Sequence, residues 1–353
     1  MNKRVERFLE KMAAQGLEAM IINNLKNVYY LTGFWGSNGT VLITPDRQVL
    51  VTDLRYIIAA KEEAPEFEIV ADRDELAVIA GIVKDMGLSR IGFEDEISVA
   101  YHSRMEASFA GLELLSQSQF VEGLRILKDE SEIAAIRKAC SISDQAFRDA
   151  LDYIKPGKTE IEIANFLDFR MRELGAAGLS FDTILASGVN SSKPHAHPMH
   201  KPVELGEAIT MDFGCLYDHY VSDMTRTIYL GHVSDEQAEI YTTVLKANQA
   251  LIDQAKAGLG FRDFDKIPRD IIIEAGYGDY FTHGIGHGIG LDIHEEPYFN
   301  QQSKEVIQAG MVLTDEPGIY LEDKYGVRIE DDILITETGC ELLTLAPKEL
   351  IVI

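Results

Sequence analysis

Up to about residue 122, apolar positions fall in short runs separated by amphipathic stretches. Runs at Ala19–Ile22, Val41–Ile43, Val49–Val51, Ile69–Val70, Ile91–Phe93 and Leu112–Leu115 predict strands. Helical spacing near residues 2–15, 54–63, 74–86 and 98–109 predicts helices between them, which together make a self-contained α/β domain. Gly123-Leu-Arg-Ile-Leu-Lys128 then leads into Asp129-Glu-Ser-Glu132, a cap residue with a glutamate three positions on that satisfies the first free amides of a helix. Ile133, Ile136, Cys140, Phe147, Leu151 and Ile154 form its apolar face, and Pro156-Gly157 stops it. The boundary is expected near residue 125, giving domains 1–125 and 126–353.

In the second domain the same cap recurs at Thr159-Glu-Ile-Glu162 and at Ser234-Asp-Glu-Gln237, and a further helix is expected from about Phe264 to Ala275. Between these helices the period changes to two, as in Ala208–Phe213 and Met311–Thr314, which predicts antiparallel strands and an α+β domain. Gly206-Glu-Ala-Ile-Thr-Met-Asp-Phe-Gly214 and Gly310-Met-Val-Leu-Thr-Asp-Glu-Pro-Gly318 align without gaps, placing Asp212 over Glu316. Each is followed by a further acid, Asp223 and Glu330. A hairpin tip at Tyr217-Asp218 would set Asp212 opposite Asp223, and one centred on Asp323 would set Glu316 opposite Glu330, as in a duplicated half-domain.

Composition narrows the function. The 353 residues are 46% hydrophobic and carry 33 Lys and Arg against 58 Asp and Glu, a formal charge of -25. A chain so acidic and without a basic run is a poor fit to nucleic acid or to anionic membranes. The N-terminus is charged and no run of apolar residues is long enough to span a bilayer, so the protein is expected in the cytoplasm. Its three cysteines, Cys140, Cys215 and Cys340, show neither disulfide nor zinc-knot spacing and read as core residues.

Four acids converging in an apolar sheet are costly unless paired or bound to cations, so something positive is expected between them. Eight of the nine histidines lie between His195 and His294, three of them in Thr282-His-Gly-Ile-Gly-His-Gly-Ile-Gly-Leu-Asp-Ile-His294. Phosphate binding, zincin and serine-hydrolase readings fail on missing positions: G-x-G-x-x-G is unmet, His294-Glu-Glu-Pro-Tyr298 lacks a second histidine, and Ser187 lacks the preceding glycine of G-x-S-x-G. A dinuclear metal site is the reading that remains.

Asp212 in M-D-F-G, Asp223 in S-D-M-T-R-T, His287 in H-G-I-G-H-G-I-G, Glu316 in D-E-P-G-I-Y and Glu330 in V-R-I-E resemble the five-ligand signature of the pita-bread metallopeptidases. Pro194-His-Ala-His-Pro198, His294-Glu-Glu-Pro297, Tyr30-Leu-Thr-Gly-Phe-Trp-Gly-Ser-Asn-Gly39 and Thr52-Asp-Leu-Arg-Tyr56 are similar to the proline-specific branch, prolidase (Xaa-Pro dipeptidase) and aminopeptidase P. The likeness covers essentially the whole chain. It implies a creatinase/prolidase-type N-terminal domain and a C-terminal pita-bread domain with a pseudo-twofold antiparallel sheet and flanking helices. It further implies hydrolysis of the Xaa-Pro bond in dipeptides or short peptides, with two divalent ions, Mn²⁺ above Co²⁺, Zn²⁺ or Fe²⁺ for so oxygen-rich a ligand set.

By the same resemblance, Asp212 chelates one ion, Asp223 and Glu330 bridge both, and His287 and Glu316 bind the other, with Glu316 also moving the proton of the attacking water. His195 and His294 would steady the oxyanion and hold substrate, and His283, Arg328 and Tyr320 would line or support the pocket. His197, His200, His219 and His232 are expected to carry no chemistry. A homodimer is implied, with Trp35, Asp53 or Arg55 near the partner's site. One position departs: where many prolidase-like chains have an arginine after H-E-x-P, this one has Tyr298-Phe299, which leaves longer Xaa-Pro peptides, cut as by aminopeptidase P, as the alternative to strict dipeptide recognition. Methionine aminopeptidase fits less well because of the appended N-terminal domain, creatinase-like chemistry and a metal-free binding module because all five ligand positions are intact.

Overall fold

The structure, a computed structural model, describes residues 2–299 and 304–353. Chain contacts divide it into two compact units, Met1–Arg125 and Ile126–Ile353.

In the first unit, strands β1 (Ala19–Ile22), β2 (Thr40–Ile43), β3 (Gln48–Thr52), β4 (Glu68–Ala71), β5 (Arg90–Glu94) and β6 (Glu113–Gln117) form one sheet in the order β4-β3-β2-β1-β5-β6. Its central strands are buried throughout and therefore read as continuous apolar runs rather than as alternation. Helices α1 (Lys3–Ala14), α2 (Leu25–Thr32), α3 (Ile57–Glu63), α4 (Glu75–Asp85), α5 (Val99–Ser108) and α6 (Glu122–Arg125) accompany it. α2 was not expected from periodicity, being only eight residues long. Its signals are local: Asn24 accepts from the Lys26 amide at its start, and Gly33 closes it at φ 80°.

The second unit is built as two similar halves. The first comprises α7 (Glu130–Tyr153), α8 (Glu160–Glu173), β7 (Gly178–Leu179), β8 (Ile184–Ser187), β9 (Ala208–Phe213), the hairpin β10 (Cys215–Tyr217) and β11 (Tyr220–Val221), and β12 (Met224–Tyr229). The second comprises α9 (Asp235–Gln254), α10 (Phe261–Glu274), β13 (His287–Gly288), β14 (Glu295–Tyr298), β15 (Val312–Asp315), the hairpin β16 (Gly318–Leu321) and β17 (Tyr325–Arg328), β18 (Asp331–Ile335) and β19 (Cys340–Leu342). β8-β9-β12 in one half matches β13-β15-β18 in the other, each with a hairpin at its end. The echoed glycines Gly206 and Gly310 share a left-handed φ of 86° and 93°. Capping boxes are present at Asp129/Glu132, Thr159/Glu162 and Ser234/Gln237. α10 starts three residues before the expected Phe264, after Gly260.

The two hairpins differ in register. The second is centred on Asp323, pairing Leu321 with Tyr325 and Asp315 with Asp331, which carries Glu316 opposite Glu330 as expected. In the first, the turn is Asp218-His219 rather than Tyr217-Asp218. Both residues take positive φ, 47° and 70°, as a two-residue primed turn requires. The slip moves the pairing by two: Asp212 faces Thr225, and continuing the register sets Asp223 beside Gly214. Parity is kept, so Asp212 and Asp223 still share a face. Glu330 thus occupies the place that Thr225 holds in the first hairpin, and Arg328 the place of Asp223.

That close pairing dictates Gly214. A Cβ there would lie 1.9 Å from the Ser222 carbonyl oxygen, a backbone atom that cannot swing aside. Gly214→Ala is expected to destabilise the protein by about 3 kcal/mol, the upper range for overpacking, measured by denaturant melts. A loss under about 0.5 kcal/mol would show that the strand pair is looser than described.

Candidate metal centre

Asp212 near the end of β9, Asp223 just before β12, His287 in β13, Glu316 just after β15 and Glu330 just before β18 converge on one cleft of about 580 Å³. Matching strands from both halves bring them there. Oxygens of Asp223 and Glu330 and a ring nitrogen of His287 lie within 4.8 Å of one another. His287 Nε2 is 3.8 Å from Asp223 Oδ2 and 3.6 Å from Glu316 Oε1. Its Nδ1 faces the Gly288 carbonyl at 3.1 Å; with the proton there, the lone pair of Nε2 points at the carboxylates.

Asp212, Asp223, His287 and Glu330 are buried and Glu316 is partly so. Desolvation pushes the Asp223 and Glu330 carboxyls well above the usual range, and the negative neighbours add to it, Glu330 acting on Asp223 and Glu316 on Glu330. Glu316 is raised to about 7, again mainly by desolvation, with Arg328 opposing. Burial lowers the His287 imidazole to about 4, keeping it neutral. Among the described residues, Asp212 Oδ1 and Asp223 Oδ1 are buried with no hydrogen-bond partner. Mutually repelling carboxylates with orphaned oxygens, facing a neutral imidazole, fit divalent cations of the oxygen-preferring kind.

Arg328 braces this set. Its Nη2 binds Asp212 Oδ2, its Nη1 donates to the Tyr320 hydroxyl at 2.7 Å, and its Nε donates to Thr225 Oγ1 at 2.9 Å. Thr225 in turn donates to Glu330 Oε2 at 2.6 Å, so the two matching hairpin positions meet. Asp332, raised to about 8 chiefly by burial, accepts from the Asp223 amide at 2.9 Å. Thr225 and Asp332 were not foreseen, since their partners lie more than a hundred residues away.

His195, His283 and His294 line the same cleft. His294 sits ring to ring with His287, centroids 4.3 Å apart. His283 is committed on both nitrogens, to the Gly284 carbonyl at 2.8 Å and to the Tyr320 hydroxyl at 2.9 Å, which leaves it to face the cleft through its ring. Tyr320 is buried and acts as a strut between His283 and Arg328. His197, expected to carry no chemistry, also lines the cleft. Phe181, Ile184, Ile293, Phe299 and the half-exposed Tyr298 give the cleft an apolar wall.

Among the described residues no helix is long and apolar enough to cross a membrane. Residues 134–337 match the model of metallopeptidase family M24, and residues 4–127 match the creatinase/prolidase N-terminal domain. The chain is 38% identical over 353 residues to an Xaa-Pro dipeptidase of Pyrococcus horikoshii, covering 99% of each. Among solved structures it resembles an Xaa-Pro dipeptidase from Bacillus anthracis, with 41% identity, 99% of each chain covered and a TM-score of 0.97. It is also similar to an X-Pro aminopeptidase from Thermotoga maritima, with 38% identity, 99% and 100% coverage and a TM-score of 0.93. With its cleft of acids and its full-length relatives, the chain belongs to metallopeptidase family M24, whose chemistry uses divalent metal ions.

Proposed function

We propose that this protein hydrolyses the Xaa-Pro bond at the N-terminus of dipeptides or short peptides, the second unit being catalytic and the first an appended creatinase/prolidase-type domain. The observation that carries the reading is the convergence of Asp212, Asp223, His287, Glu316 and Glu330 with two orphaned carboxylate oxygens. These five residues would hold two ions, with manganese suited to four carboxylates and one imidazole. Such ions lower the pKa of a bound water and polarise the scissile carbonyl.

The chain's own groups do the rest. Glu316 would take a proton at its carboxylate and return it to the leaving proline nitrogen. His294 and His195, exposed on the cleft wall, are placed to donate to the developing oxyanion. Arg328 holds Asp212 in position through a charged hydrogen bond. An Xaa-Pro amide has no N–H to satisfy, which suits a cleft walled by Phe181, Ile184 and Phe299. Three free cysteines support a reducing, cytoplasmic setting, and a homodimer is what the family resemblance implies.

A second reading, aminopeptidase P acting on longer peptides, is favoured by Tyr298, a neutral side chain half-exposed on the cleft wall where an arginine would read a substrate carboxylate. The test takes metal-stripped protein, restores Mn²⁺, and follows Ala-Pro, Ala-Pro-Ala, Met-Ala-Ser and Ala-Ala by mass spectrometry. Cleavage of Ala-Pro is expected, with Met-Ala-Ser and Ala-Ala left intact. Release of alanine from the tripeptide alone would select the second reading, and silence on both proline peptides would overturn both.

A further inference from the structure

We infer that Lys128 and Glu295 form a positioning pair that holds His294 in the cleft; the inference rests on the peptidase reading above. Lys128 Nζ lies 2.8 Å from Glu295 Oε1, with side chains only 1% and 5% exposed. Burying two charges this deeply is costly and is recovered only through close geometry and further hydrogen bonds, so the pair is weak as a device for stability alone.

What it organises is the turn between β13 and β14. The Glu295 carboxylate occupies the inside of that turn: a Cβ on Gly290 would lie 2.5 Å from Oε1 and 3.0 Å from Oε2, so the backbone closes directly over it. The Asp292 amide reaches Oε2 at 3.4 Å, and Glu295 pairs with Gly288 across the turn. His287 stands at one end of this segment and His294 at the other. At the entry to β14, Glu295 is buried while His294, the residue before it, is exposed on the cleft wall. The segment is also tied to the first half, where the Val221 amide donates to the Gly290 carbonyl at 3.0 Å, two residues before Asp223.

Lys128 is itself anchored. Its amide donates to the Gly310 carbonyl at 2.9 Å, the echoed glycine that precedes β15. A lysine fixed to one strand start thus grips the turn that presents both imidazoles. Neither residue reaches the cleft surface, so both act through His294 rather than on substrate.

Four proteins loaded with Mn²⁺ test this on an Xaa-Pro substrate: the parent, Glu295→Gln, His294→Ala and the double variant. In the parent background Glu295→Gln is expected to lower kcat about tenfold or more, the range for groups that orient a functional side chain, with KM within about twofold. In the His294→Ala background the same change is expected to cost less than about twofold, because the group it positions is gone. Equal losses in both backgrounds, or a loss confined to KM, overturn the inference. If His294→Ala alone leaves kcat unchanged, the assignment of His294 falls and the positioning role with it. Hydrogen exchange at amides 289–294 reads the tether without any substrate: faster exchange in Glu295→Gln is expected, and unchanged exchange overturns it even in a protein that cleaves no peptide.

Discussion

Asp223→Asn is expected to abolish peptidase activity and, at the same time, to make the metal-free protein more stable. The Asp223 carboxylate is one corner of the triangle with His287 and Glu330, its ligand atom within 4.8 Å of theirs. Asparagine keeps the shape and one oxygen but loses the charge with which Asp223 would hold a divalent cation. Groups one step removed from a metal matter about 10–100-fold, so loss of this carboxylate is expected to lower kcat/KM by at least about 1000-fold and to weaken Mn²⁺ binding in calorimetry. Stability moves the other way. Asp223 is buried, pushed far up by desolvation and by Glu330, and its Oδ1 has no partner among the described residues. Removing one of several repelling acids relieves that burden, and each kcal/mol recovered raises Tm by about 2–4 °C in a protein of this size. Activity within tenfold of the parent, or a lower Tm for the metal-free variant, would remove Asp223 from the ligand set.

The parts of this structure that the sequence made legible are those governed by local rules. Asp129/Glu132, Thr159/Glu162 and Ser234/Gln237 each place a cap oxygen and a glutamate or glutamine three residues apart, and each starts a helix. The acids and His287 were readable because each sits in a short word that survives without knowledge of the fold. Register was harder. Moving the first turn by one residue, to Asp218-His219, changed the partner of Asp212 from Asp223 to Thr225, since pairing shifts two positions for each step of the turn. Residues that act across the chain were not legible at all: Thr225 meets Glu330 at a separation of 105, and Lys128 meets Glu295 with nothing local to announce it. Tyr320 could not be sorted between packing and function until its hydroxyl was found between His283 and Arg328.

Chelation is expected to take activity to background, with full return on adding Mn²⁺, and the metal-free protein should show an unusual pH dependence of stability. Burial raises Glu316 to about 7 and Asp332 to about 8, against about 4 for such groups in an unfolded chain. The folded state therefore keeps protons that the unfolded state has released, and stability falls as pH rises through that window. His283 and His287, both lowered to about 4 by burial, work in the opposite direction, but their contribution grows only up to the unfolded value of about 6.5 and is constant above it. Between pH 6.5 and 8 the carboxyls act alone, and calorimetry on metal-free protein should show Tm falling by several degrees. Glu94 in the first unit, raised to about 7 by burial, and Asp332, which does not line the cleft, add to the same slope but do not bind the added ion. Adding Mn²⁺ at pH 8 separates the contributions, because it engages the deprotonated cleft acids and leaves Glu94 as it was. At a hundredfold excess over Kd it should return about 2.7 kcal/mol and flatten the part of the slope that Glu316 carries. A metal-free Tm that is level or rising from pH 6.5 to 8 would mean that the cleft acids ionise freely, and that no cation is needed to hold them together.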